Sequence, residues 1–168
     1  MAITVEDGTV VASADSFVSE TVADAYFAAH DNPTAWTGAT SALQESALKY
    51  AAQTLGGAFE WEGTITSLTQ TLCWPRSDAA DREDRTIASD VIPQSVKDAQ
   101  CELALVHLGA ALNQTHDRGG AVVSEKIGPI ETRFSDNAPA EATWPYIARL
   151  LNGLGKHRGA PQPDIERA

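Results

Sequence analysis

One stretch constrains this chain more than any other. Ile92-Pro93-Gln94-Ser95 leads into Val96 to Leu112 with unbroken apolar periodicity, and Pro93 stands where the first turn of a helix tolerates a missing N–H. At 100° per residue, Val96, Ala99, Leu103, Val106 and Ala110 form one apolar stripe, and Cys101, Leu105, Leu108 and Leu112 form a second on nearly the opposite side. A helix apolar on two sides has to be covered on both. The fold predicted is therefore mainly α, a small helical bundle around this central buried helix.

Shorter patterns supply the partners. Ser19 is placed to cap a helix over 20–29 that turns Val22, Tyr26 and Ala29 to one side, and Asn32-Pro33 ends it. Ser41-Ala42-Leu43-Gln44 has the form of a capping box. The helix it opens, to about Leu55, should pack through Leu43, Ala47, Tyr50, Ala51 and Leu55 and stop at Gly56-Gly57. After Thr143, with Pro145 in the first turn, Ile147, Leu150, Leu151 and Leu154 follow i, i+3, i+4, i+7 spacing and predict a last helix. Phe59 to Arg76 reads as short strands or irregular chain, and Ser77 to Arg85 as an exposed loop.

Two segments read as extended. Asp7-Gly8 between β-branched residues predicts a hairpin or arm within 1–18, and Val122 to Phe134 around Gly128-Pro129 predicts a β-hairpin. The organisation expected is a helical domain over 1–154 and a C-terminal extension over 155–168. The extension has a single large apolar side chain, Ile165, and cannot bury itself.

Charge and motifs limit the function. Lys plus Arg number 12 against 23 Asp plus Glu, a net charge of -11. A grip on nucleic acid draws on cations set against phosphates, so DNA binding starts at a disadvantage, whereas an acidic surface lets DNA slide past. No run is long and apolar enough to span a membrane and no signal-peptide pattern opens the chain, so no membrane partner is expected. Cys73 and Cys101 lie in apolar stretches without metal-ligand spacing and are expected to be small buried hydrophobes in a reducing compartment.

Dinucleotide, phosphate-loop, metalloprotease and nucleophile-elbow motifs are missing from the sequence. His116-Asp117 is expected to be solvated rather than a metal or acid/base pair, and His30, His107 and His157 have no partner spacing. No catalytic, metal or cofactor site is expected, and no enzyme. Trp61, Trp74 and Arg76 could stack on single-stranded bases, since aromatics beside cations do so; packing of both tryptophans over the central helix is the competing expectation.

Three groups of residues carry a family resemblance. They are Thr4 to Gly8 with Ala14 to Ser19 and Ala23 to Phe27; Leu72-Cys73-Trp74-Pro75-Arg76 followed by Ile92-Pro93 and Ala99 to Ala104; and Ser124 to Glu131. Together they resemble the head-tail connector, or adaptor, proteins of tailed bacteriophages, whose sequences are often labelled DnaT-like single-stranded-DNA-binding. The resemblance implies a structural virion protein, found in the host cytoplasm before assembly and in the virion after it. It would form a homo-oligomeric ring, commonly a dodecamer, between the portal protein and a tail-side connector or terminator, with genomic double-stranded DNA passing through the lumen.

Under that resemblance, portal and neighbour contacts fall on Ile127, Ile130, Arg133 and Phe134 of the hairpin and on Lys156, His157, Arg158, Ile165 and Arg167 of the extension. The alternative is a single-stranded-DNA-binding replication accessory protein, with Trp61, Trp74 and Arg76 as its stacking platform.

Overall fold

A computed structural model of the protein describes residues 2–110, 112, 124–127, 130–133 and 144–158. The described chain is mainly α-helical, with α1 (Glu20–Ala29), α2 (Thr34–Thr37), α3 (Ser41–Ala58), α4 (Gln94–Gly109) and α5 (Pro145–Leu150). The strands are short: β1 (Phe59–Trp61), β2 (Thr64–Ile65), β3 (Arg76–Ser77), β4 (Ser124–Ile127), β5 (Ile130–Arg133) and β6 (Gly155–His157). They form three antiparallel pairs, β1 with β6, β2 with β3 and β4 with β5. The last pair is the hairpin expected around Gly128-Pro129, with Ile127 opposite Ile130.

Helix α4 packs on α1, α2, α5 and, most extensively, α3. Val96, Ala99 and Leu103 are buried on one side of it and Cys101 and Ala104 on the other, whereas Val106, near its C-terminal end, is 39% exposed. Gln100 lies among them and is fully buried. Its Oε1 accepts from the Phe17 amide at 2.9 Å, and its Nε2 donates to Ser16 Oγ at 2.7 Å and to the Leu48 carbonyl at 2.8 Å. A buried amide is tolerated only when its donors and acceptor are used, and these three bonds tie the N-terminal segment, α3 and α4 together.

The N-terminal segment is not an extended arm. Val5 and Ser16 form a parallel bridge instead of a hairpin, and Ala14, Phe17 and Val18 join the core. The reason is Glu6, which is 2% exposed: its carboxylate accepts the amides of Gly8, Val10 and Val11 at 2.9, 3.0 and 2.9 Å. Those bonds coil the chain around the side chain. Gly8 (φ +109°) then presses on Asp90, whose carbonyl oxygen would lie only 1.9 Å from a Cβ at that position.

Several helix details differ from expectation, beginning with α1, which buries Ala23 and Phe27 and leaves Val22 and Ala29 in solvent. Ser19 caps α1 by accepting the Val22 amide at 3.2 Å, but the cap of α3 is Thr40, and Ser41 Oγ donates to Glu20 Oε2 at 2.6 Å instead of closing a capping box. Helix α3 also runs through Gly56-Gly57 to Ala58 and is rotated from the expected face. Gln44, Ala47, Leu48, Ala51, Ala52 and Leu55 turn inward, leaving Leu43 and Tyr50 55% and 52% exposed. Small α2, not anticipated, seats the buried Trp36 against Phe27, centroids 4.7 Å apart, with its indole N–H donating to Asp24 at 2.8 Å. The expected loop over 77–85 is exposed through 82–85, but Ala79 is buried in the core.

The division at residue 154 does not survive. Gly155, Lys156 and His157 pair with Trp61, Glu60 and Phe59, and the Arg158 amide donates to the Ala58 carbonyl at 2.8 Å. Backbone pairing, which side-chain composition does not report, ties the first four residues of the supposed extension into the domain.

Candidate nucleic-acid interface

A groove of about 820 Å³ opens between α3 and the β1–β6 pair. One wall is α3, carrying Lys49 and Tyr50; the other carries Trp61 from β1, Arg76 from β3 and Arg158 just after β6. Lys49 Nζ lies 2.8 Å from Asp15 Oδ2 and donates to the Ala2 carbonyl at 3.2 Å. Arg158 Nε lies 4.0 Å from Glu60 Oε1, with both side chains largely in solvent. Asp15 and Glu60 line the same groove.

Its aromatic groups rest on neighbouring rings. Tyr50 stacks on His107 of α4, centroids 4.6 Å apart and planes at 23°, so one face of its ring is covered while half of the residue stays in water. The half-buried Trp61 donates its indole N–H to the Leu55 carbonyl at 3.1 Å and leans on Phe59. Gly155 lets this happen: a Cβ there would lie 3.0 Å from the Glu60 carbonyl oxygen and 3.1 Å from Trp61 Cε3. A π-face presented without rotamer freedom loses little entropy on receiving another ring.

The expected stacking platform is only partly realised. Trp61 and Arg76 line the groove, but Trp74 is fully buried and supports Trp61 edge-on at 5.9 Å. Large apolar area drives it into the core, so the packing expectation holds for Trp74. Arg76 is a brace as much as a cation. It donates to the carbonyls of Glu62, Gly63 and Cys73 at 2.7, 2.7 and 3.1 Å, and burial lowers its pKa without removing its charge near neutrality.

The thiols offer no nucleophile near neutral pH. Burial pushes Cys73, in the groove lining, and Cys101 up to about 12. The described residues hold no cluster of three or more His, Cys, Asp or Glu that could take a metal ion, and no helix among them is long and apolar enough to cross a membrane.

The residues expected to meet a portal or a neighbour are dispersed. Arg158 lies in the groove and Lys156 projects from β6, while His157 packs edge-on between Phe59 and Trp144 at 5.2 and 5.7 Å with both ring nitrogens buried and unpartnered. Ile127, Ile130 and Arg133 belong to the β4–β5 ladder. Phe134, Ile165 and Arg167 lie outside the described residues, as do His116 and Asp117. Sequence reasoning placed Lys49 on the solvent face of α3 without assigning it to a site, and missed Tyr50, which continues the apolar face of α3 and is exposed only by the true rotation of that helix.

The chain is thus mainly α-helical, with an open groove that carries aromatic rings beside cations. The chain belongs to the family described as "Putative DnaT-like ssDNA binding protein", whose model matches residues 1–168. No curated protein and no solved structure matches it significantly. The family match overturns the reading as a virion head-tail connector, and with it the ring, the portal and tail-side partners and the passage of double-stranded DNA through a lumen. The acidic composition had counted against DNA binding, but net charge describes the whole surface, whereas a binding site needs only a local set of cations.

Proposed function

We propose that this protein binds single-stranded DNA in the groove between α3 and the β1–β6 pair, acting in the cytoplasm by binding alone and without catalysis. The observation that carries the reading is the convergence on one open groove of Lys49, Arg76 and Arg158 with the rings of Tyr50 and Trp61. Cations track a phosphate backbone, and aromatic faces accept unpaired bases of any identity. The family description supports the same reading.

The charge handicap seen in the sequence then becomes a quantitative expectation. With three cations in the groove, log K for an oligo(dT) should fall against log salt with a slope no steeper than roughly -2, since each neutralised phosphate on a single strand contributes about -0.7 and the groove carboxylates offset part of it. Stacking, which salt does not screen, supplies the remainder.

Titrating the protein with a fifteen-residue oligo(dT) while following tryptophan emission tests this. Saturable quenching with that shallow slope, weakened roughly tenfold by Tyr50→Ala, is the expected result. A slope steeper than about -5, or indifference to Tyr50→Ala, would place the binding elsewhere.

A further inference from the structure

The groove holds two carboxylates where a binder of phosphate would be expected to have none. Asp15 sits 2.8 Å from Lys49 Nζ, and Glu60 sits 4.0 Å from Arg158 Nε. Asp15 is fixed there by a second bond, its Oδ1 accepting the Thr4 amide at 2.8 Å, and Thr4 belongs to the N-terminal segment that Gln100 and Glu6 hold in place. Glu60 is fixed in backbone position by its register opposite Lys156. Two of the three groove cations thus meet a carboxylate before any ligand arrives. The third, Arg76, gives three of its five N–H donors to carbonyl groups.

We propose that Asp15 and Glu60 are specificity-determining residues that make the groove reject double-stranded DNA. The inference rests on the single-stranded-DNA reading of the same groove. A duplex keeps its base faces stacked inside the helix and offers a groove of this kind its phosphates. Those phosphates must displace Asp15 from Lys49 and Glu60 from Arg158, and nothing else is gained in return. A single strand faces the same competition but recovers free energy by stacking bases on Tyr50 and Trp61. Repulsion applied equally to both ligands therefore eliminates the one without a second source of affinity, which is how discrimination is built from an unfavourable contact. The net charge of -11 acts in the same sense over a longer range.

Asp15→Asn and Glu60→Gln test this, because each keeps its acceptor oxygen while losing the charge, so Asp15→Asn retains a partner for the Thr4 amide. Affinities for a fifteen-residue oligo(dT) and a fifteen-base-pair duplex would be measured side by side, with thermal melts to verify folding. Glu62→Gln serves as a control: on an exposed neighbour of Trp61 it makes the same one-unit change in net charge as either single variant, half that of the double variant.

The double variant should gain about tenfold or more for the duplex and only about threefold for oligo(dT), whereas Glu62→Gln should change both by less than about twofold. In a Lys49→Ala background the effect of Asp15→Asn should disappear, since the pair it relieves is gone. Equal gains for both ligands, or equal effects of Glu62→Gln, would overturn the assignment of specificity. If Tyr50→Ala leaves oligo(dT) binding unchanged, the groove reading itself fails. If Tyr50→Ala weakens it and the two acidic variants leave the single-strand to duplex ratio unaltered, only the specificity inference fails.

Discussion

Trp61 stands edge-on to Trp74, ring centroids 5.9 Å apart and planes at 90°. One ring is partly exposed in the groove and the other fully buried, so two tryptophans that look equivalent in the sequence have separable tasks. Trp74→Ala should cost about 3–5 kcal/mol of stability, the usual range for emptying a large buried aromatic site. Trp61→Ala should cost clearly less, yet abolish most of the emission change on adding oligo(dT). Urea unfolding monitored by circular dichroism, alongside the fluorescence titration, checks both halves of this expectation.

Gln100 is the polar knot of the core. Replacing it with Leu removes an acceptor from the Phe17 amide and donors from Ser16 Oγ and the Leu48 carbonyl. A loss of about 2–4 kcal/mol is expected, from up to three buried groups left without a partner at about 1–3 kcal/mol each and partial relief by rearrangement. Native-state hydrogen exchange should show the Phe17 amide losing protection first.

Both cysteines are raised in the folded protein, to about 12, with burial the leading cause. A thiol whose pKa is higher folded than unfolded contributes stability that is complete below its unfolded pKa of about 8.5 and is lost as pH rises toward the folded value. Melting temperature should therefore decline between about pH 9 and pH 12, more gently in a Cys73→Ala, Cys101→Ala variant. At pH 8 the native thiols should react with a disulfide reagent orders of magnitude more slowly than in urea, because the thiolate is the reactive form.

Gly155 is required by contact. A methyl group there meets the Glu60 carbonyl and the Trp61 ring at 3.0 and 3.1 Å, so Gly155→Ala should loosen the β1–β6 pair at a cost of about 1–2 kcal/mol. Trp61 should move with it, giving a red-shifted emission and weaker oligo(dT) binding. Unchanged emission would mean that β6 yields without disturbing the groove wall.

These outcomes depend on features the sequence displayed unevenly. The span of helix α1, its Ser19 cap and the β4–β5 hairpin were legible because each is signalled by residues close together in the chain, but the face of α1 was not: Ala23 and Phe27 turn inward, while Val22 and Ala29 are exposed. The buried character of α4 was legible from its two apolar stripes. What was not legible depends on distant partners: Glu6 curling the N-terminal segment around its carboxylate, Ser41 turned toward Glu20, Trp36 seated against Phe27, and β6 pairing with β1 across nearly a hundred residues. The groove was half legible for the same reason. Trp61 and Arg76 announced themselves by chemistry and Lys49 by its place on the polar face of α3, but Tyr50 became visible only once the packing of α3 on α4 set which face of α3 looks outward.

The most direct test maps where a single strand touches the protein. Amide chemical shifts of the labelled chain, followed while oligo(dT) is added, should move in one contiguous set around Lys49, Tyr50, Gln53, Trp61, Arg76 and Arg158, and the same shifts should be nearly silent with a duplex of equal length. Shifts clustered instead around Arg82, Arg85 and Arg149, which line the smaller groove beside α5, or no shifts at all at millimolar oligonucleotide, would contradict the account.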